Sequence, residues 1–156
     1  MLGYFNRPDA TRQTIDDDGW LHTGDIARAD ERGHFHIVDR LKELIKYKGM
    51  QIAPAELEGV LVSHPAVADA AVIPVPDDDA GEIPKAFVVL KAGTTTEELM
   101  SYVAARVASF KKIRRMEIVD QIPKSPSGKI LRRVLRDRER AAAQGTCAEG
   151  LPYRVT

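Results

Sequence analysis

The chain has 156 residues, no net formal charge, and 44% hydrophobic against 29% charged residues. That is enough for one ordinary domain plus a little more with a soluble surface, and neutrality argues against a dedicated nucleic-acid binder. No apolar run approaches the ~20 residues of a membrane span. The first residues lack the apolar centre of a secretory signal, and the single cysteine, Cys147, cannot form an intrachain disulfide, so a cytoplasmic location is expected.

In chain order, residues 7–15 read as a short helix, stopped by the turn Asp16-Asp17-Asp18-Gly19. Trp20-Leu21-His22 and Ile26-Ala27-Arg28 read as short strands around Thr23-Gly24-Asp25. Asp30-Glu31-Arg32-Gly33 is a hairpin signal before an alternating strand, residues 34–38. Residues 43–48 and 51–53 flank Gly49 as a second hairpin. Pro54 opens a helix where its missing N–H is harmless; Glu56 and Glu58 complement the positive end, and Leu57, Val60 and Leu61 form the buried stripe.

Two apolar strands follow, residues 67–75 and 85–91, separated by the acidic loop 77–82. Thr95 with Glu98 forms a capping box for a helix presenting Leu99, Tyr102, Val103 and Val107. Residues 116–119 form a further strand, 123–128 a loop, and Ile130, Leu131, Val134 and Leu135 begin a final helix. The alternation after Pro54 predicts an α+β fold, a small sheet packed with helices. The short strands before it look like the edge of another domain. The expected organisation is 1–39 as the tail of a larger domain, 40–143 as the small domain, and 144–156 as a frayed tail.

Charge is unevenly spread. Residues 110–140 hold eleven Lys/Arg against four Asp/Glu, which could face an anion, although a solvated helix face accounts for most of them. Three constellations could carry chemistry. Asp25 ends Trp20-Leu21-His22-Thr23-Gly24-Asp25; it is either an ordinary turn residue or a carboxylate accepting two hydrogen bonds from a ribose diol. In Asp39-Arg40-Leu41-Lys42-Glu43-Leu44-Ile45-Lys46-Tyr47-Lys48-Gly49-Met50-Gln51, period-two alternation either marks a half-exposed strand or lines Lys46 and Lys48 along one edge toward phosphates. In Pro123-Lys124-Ser125-Pro126-Ser127-Gly128-Lys129, a turn-rich loop presents a lysine, a compact charge suited to a transient oxyanion. The histidines, including the pair His34 and His36, lack metal-ligand spacing.

In this order and spacing the three segments resemble the adenylate-forming superfamily of acyl-CoA synthetases, adenylation domains and beetle luciferases. Residues 39–49, Ala53-Pro54-Ala55-Glu56-Leu57-Glu58 and 123–133 look most like 4-coumarate–CoA ligases and their luciferase relatives. The resemblance implies the C-terminal lid of an acid–CoA ligase that uses ATP, Mg²⁺ and coenzyme A. Asp25 matches the ribose-binding aspartate, Arg40 a nucleotide contact, and Lys42 the hinge of the small domain. Lys46 and Gln51 match groups near the adenylate, Lys48 and Gly49 a coenzyme A contact, and Lys129 the catalytic lysine of acyl-adenylate formation. The partners so implied are a carboxylic acid (aromatic or fatty), coenzyme A, a large N-terminal domain that holds most of the Mg²⁺ contacts, and a protein acetyltransferase acting on Lys129.

No Gly/Ser/Thr-rich phosphate loop occurs in these 156 residues, so the chain is expected to be a portion of such a ligase and inactive alone. The alternatives are the lid of a ligase that acylates a carrier protein, or a non-catalytic binding module. A nucleic-acid role for residues 110–140 is disfavoured by the lack of interleaved aromatics.

Overall fold

The computed structural model describes residues 1–143; Cys147 and the expected frayed tail lie outside the described residues. The chain divides into two compact units, Met1–Lys42 and Glu43 onward.

The first unit holds α1 (Pro8–Thr14) and an antiparallel ribbon of β1 (Asp25–Ala29) and β2 (Phe35–Arg40). Pro at the first turn starts α1. The expected strand at 20–22 reduces to a single bridge between Ile15 and Leu21. The hairpin turn at Asp30 is as expected: its carboxylate accepts the N–H groups of Arg32 and His34. No apolar side chain of this unit is buried; Asp39 is its one buried residue.

The second unit contains β3 (Ile45–Tyr47), β4 (Met50–Ile52), α2 (Pro54–Val62), β5 (Val67–Asp77), β6 (Gly81–Leu90), α3 (Thr96–Ala104), β7 (Arg115–Ile118) and α4 (Arg132–Ala143). The sheet runs β4-β3-β6-β5, with β7 added parallel to β6. A parallel partner needs a crossover, which α3 supplies. The fold is therefore α+β, as the sequence predicts.

Burial is two-sided. Ala70 and Val72 of β5, with Ala86 and Val88 of β6, join Leu57 and Leu61 of α2 and Leu99 and Val103 of α3 in one core. Ala71, Ile73 and Val75, with Ile83 and Phe87, join Ile122 and Leu135 of α4 in another. A strand covered on both faces has no polar side to alternate with, which is why β5 reads as a continuous apolar run.

Several boundaries differ from the sequence reading. β5 and β6 remain paired to Asp77↔Gly81, so the acidic loop shrinks to residues 78–80. Asp77 Oδ1 accepts the N–H groups of Asp79 and Ala80 at 3.2 and 2.9 Å, closing a turn tight enough for the ladder to continue. α4 starts at Arg132, not Ile130, because the backbone at Ile130 is held in a bridge with Lys124. The capping box forms as expected: Thr95 Oγ1 accepts the Glu98 N–H and the Glu98 carboxylate accepts the Thr95 N–H.

The basic segment is not a free solvated face. Lys111 pairs with Glu56, Lys124 with Asp69, Arg132 with Glu58, Arg136 with Glu43 and Arg138 with Glu117. Most of its excess charge is locally answered. Glu58 does not sit exposed at the start of α2 either. It is buried, because the helix turns it toward β5.

Candidate functional site

Asp25 and Arg40 lie opposite each other across the β1–β2 ribbon, with Arg40 Nε 3.5 Å from Asp25 Oδ1. Lys42 is exposed in the 3-10 turn Leu41–Glu43, where the two units meet in sequence. These three residues belong to the first unit and the remaining five to the second.

β3 and β4 are joined by a two-residue turn. Lys48 has φ 47° and Gly49 φ 78°, the paired positive values of a type I′ hairpin, whose twist matches its strands. The alternation that would align Lys46 with Lys48 therefore stops at Tyr47: Lys46 is on the strand, Lys48 in the turn. Lys46 is paired with Gln51 across the hairpin, so these two expected adenylate contacts are neighbours. The hairpin is tied to the rest of the unit by the Lys46 N–H donating to Glu82 Oε2 at 2.8 Å and the Lys48 N–H donating to the Ala80 carbonyl at 2.9 Å. Arg114 Nη2 donates to the Tyr47 hydroxyl at 3.0 Å, and its guanidinium lies 4.9 Å from the ring centroid. A side chain at Gly49 would meet nothing within 4 Å. The glycine is thus required for its backbone conformation, and it leaves the turn open to a ligand.

Lys129 lies opposite Ser125 in a closed loop whose turn is residues 126–128. The Ser125 N–H donates to the Lys129 carbonyl, the Gly128 N–H to the Ser125 carbonyl and the Leu131 N–H to the Pro123 carbonyl, each at 2.8 Å. The Lys129 N–H reaches Ser125 Oγ at 3.2 Å. The proline- and glycine-rich segment is therefore a pinned hairpin loop rather than a flexible one. Its ammonium is exposed, and no described residue forms an ion pair with it.

The two surfaces lie far apart on one sheet. Lys124, bridged to Ile130 at the base of the loop, forms an ion pair with Asp69 Oδ2 at 2.6 Å. The Lys48–Gly49 turn is bonded at Ala80, beyond Asp77. From Asp69 to Asp77 along β5 is about 26 Å at ~3.3 Å per residue. The Lys129 loop and the Lys48–Gly49 turn are thus attached toward opposite ends of β5.

Sequence reasoning missed Tyr47, Asp69, Arg114 and the Glu58–Arg132 pair as parts of these surfaces. Tyr47, Glu58 and Arg132 lie within the segments that carry the resemblance, whereas Asp69 and Arg114 carried no local signal. Among the described residues no group of three or more His, Cys, Asp or Glu could hold a metal ion. Asp30, between His34 and His36, has its carboxyl held below the ordinary range chiefly by the His34 N–H, with burial opposing and both imidazoles assisting. No described helix is long and apolar enough to cross a membrane.

Comparison with known proteins agrees with this fold. Residues 56–129 match the AMP-binding enzyme C-terminal domain. The chain is 58% identical over 140 residues to 4-coumarate–CoA ligase 1 of Petroselinum crispum, covering 88% of this chain and 26% of that protein. It thus spans about a quarter of that relative's length. Its fold is similar to ATP-bound MatB from Rhodopseudomonas palustris, with a TM-score of 0.84 and 33% identity over 90% of this chain and 28% of that one. The o-succinylbenzoate CoA synthetase MenE of Bacillus subtilis, solved with its acyl-adenylate intermediate, has a TM-score of 0.78 and 39% identity, covering 86% of this chain and 28% of that one. The chain therefore carries, over residues 56–129, the C-terminal domain of AMP-binding, adenylate-forming enzymes.

Proposed function

We propose that this domain is the two-faced lid of an ATP-dependent acid–CoA ligase. The observation that carries the reading is the attachment of the Lys129 loop and the Lys48–Gly49 turn toward opposite ends of β5. In the first step a carboxylate oxygen attacks the α-phosphorus of ATP, and pyrophosphate leaves with the electrons of the broken P–O bond. Lys129 answers the negative charge that builds on the reacting oxygens. Asp25 accepts hydrogen bonds from the ribose hydroxyls, and Arg40 contacts the nucleotide.

The lid then turns about Lys42, withdrawing Lys129 and bringing in the opposite end. There Lys46 and Gln51 face the adenylate, and the open turn at Lys48 and Gly49 admits the coenzyme A arm. The thiolate attacks the acyl carbon, and AMP leaves with the electrons of the C–O bond. Magnesium is expected to be held mainly by the large N-terminal domain of such a ligase, and no step here is assigned to that ion. Acetylation of the exposed Lys129 by a protein acetyltransferase would remove its charge and stop the first step.

The test joins this chain to the front three-quarters of the Petroselinum ligase and assays each half-reaction separately. Adenylation should depend on Lys129, and thioester formation from supplied acyl-AMP should depend on Gly49. Equal losses in both steps for variants at both positions would overturn the two-faced lid. Acyl transfer to a carrier protein but not to coenzyme A would replace the acceptor.

A further inference from the structure

Glu58 and Arg132, 74 residues apart in sequence, are joined through both carboxylate oxygens. Arg132 Nη2 lies 2.9 and 2.7 Å from Oε1 and Oε2, and Nε lies 3.3 Å from Oε1. Glu58 Oε1 also accepts the Val72 N–H of β5 at 2.8 Å. The pair is largely withdrawn from solvent, with side chains 11% and 18% exposed. Guanidinium and carboxylate meet along two bonds at once, so this contact fixes orientation as well as distance.

Its place in the chain gives it a second meaning. Arg132 follows Lys129 by three residues and opens α4. At the other foot of the loop, Lys124 reaches Asp69. Asp69 and Val72 are three residues apart on β5, ~10 Å along the strand. Both feet of the loop are thus fastened to one short stretch of one strand. That strand is covered on both faces, and its register with β6 is continuous from Asp69 to Asp77.

We propose that Glu58, acting through Arg132, is a positioning residue for Lys129 in the adenylation step, with Asp69 and Lys124 as the second anchor. This rests on the lid reading given above. A lysine that answers charge only during reaction must be held to within a fraction of an ångström, since a displacement of about 1 Å can cost on the order of 10²-fold in rate. The hydrogen bonds within the loop fix its internal shape. The two ion pairs fix where that shape stands on the domain.

The experiment has two arms. In the 156-residue chain, Glu58→Gln, Arg132→Lys and Asp69→Asn are compared by amide exchange at Gly128, Lys129 and Leu131. Exchange there should rise at least ~10-fold while the β5–β6 amides other than that of Val72, which bonds Glu58 itself, keep their protection, because opening is local. In the chimeric ligase the same variants should lower the adenylation kcat by ~10–100-fold. They should leave the KM for ATP and the rate of thioester formation from supplied acyl-AMP unchanged. A merely structural pair would lower both half-reactions together. Arg132→Lys keeps the charge and much of the packing, so it tests the idea if Glu58→Gln does not fold. Unchanged loop exchange, or equal losses in both steps, would overturn the positioning role. If Lys129→Ala leaves adenylation intact while the loop arm behaves as expected, it is the lid reading that fails, and this role falls with it.

Discussion

Arg40 Nε lies 3.5 Å from Asp25 Oδ1 across the β1–β2 ribbon, with the two side chains 59% and 31% exposed. At that exposure the pair contributes less than ~1 kcal/mol to stability. On the proposed lid reading, a ribose diol binding Asp25 would leave the guanidinium available to the phosphates. Arg40→Ala is therefore expected to leave the denaturant midpoint nearly unchanged. Asp25→Ala in the chimeric ligase should raise the KM for ATP on the order of 10²-fold, from two charge-assisted hydrogen bonds of roughly 1.5 kcal/mol each. Measured KM values and urea midpoints for both variants check this.

Lys129→Ala is expected to slow adenylation by on the order of 10²–10³-fold. A unit charge ~4 Å from a developing oxyanion gains roughly 4 kcal/mol at an effective dielectric near 20. Thioester formation from supplied acyl-AMP should keep its rate. Pyrophosphate release and acyl-CoA formation, followed separately, decide the matter.

The turn at Lys48 and Gly49 offers opposite outcomes at neighbouring positions. Gly49→Leu places a branched side chain at φ 78° and should cost ~1–2 kcal/mol of stability. It should also obstruct the thioester step and spare pyrophosphate release. Lys48 already bears a positive φ of 47°, and Lys48→Asn completes the Asn-Gly pair that type I′ turns favour. That variant is expected to raise the thermal midpoint, which a melting curve will show.

The capping box makes a pH-dependent contribution. The Glu98 carboxyl is held below its ordinary range, chiefly by the Thr95 N–H and then by the Thr94 hydroxyl, with burial opposing. A depressed folded pKa means that the unfolded chain binds the proton more readily. The contribution is complete above the unfolded pKa and is lost as pH falls through the folded one. Glu98→Gln should thus be less stable than the parent at pH 7, and the gap should close below about pH 4. Thr95→Ala should cost ~1 kcal/mol, most of it persisting in acid because its hydroxyl does not titrate. Urea midpoints at pH 7 and pH 3 separate the two.

Residues 1–42 bury no apolar side chain, so little offsets the entropy of ordering them. Their amides are expected to exchange much faster than those of β5 and β6. Equal protection in a single exchange time course would contradict this.

Local spacing in the sequence was enough for the elements whose cause is local. Pro54 at a helix start, Thr95 with Glu98 as a capping box, the turn at Asp30 and the glycine at Gly49 each act within a few residues, so each was legible. The motif containing Lys129 was legible as a lysine on a turn-rich loop. Its boundaries were less so: Ile130 and Leu131 fit a helical stripe, but the bridge from Ile130 to Lys124 overrides that preference. The continuous apolar runs of β5 and β6 announced burial without saying which helix covers which face.

What the sequence by itself determined, then, is the set of elements, their α+β order and the family resemblance carried by three short segments. Tertiary structure alone decided that the helices cover both faces of one sheet, and that the Lys129 loop and the Lys48–Gly49 turn are attached toward opposite ends of β5. It also decided that Glu58, which local rules place at a helix N-terminus facing water, is buried against Val72 and Arg132. The physical reason is range. Periodicity and capping are set by neighbours within a turn or two, whereas a contact closing a loop of 74 residues exists only after the sheet and both its helical layers have assembled.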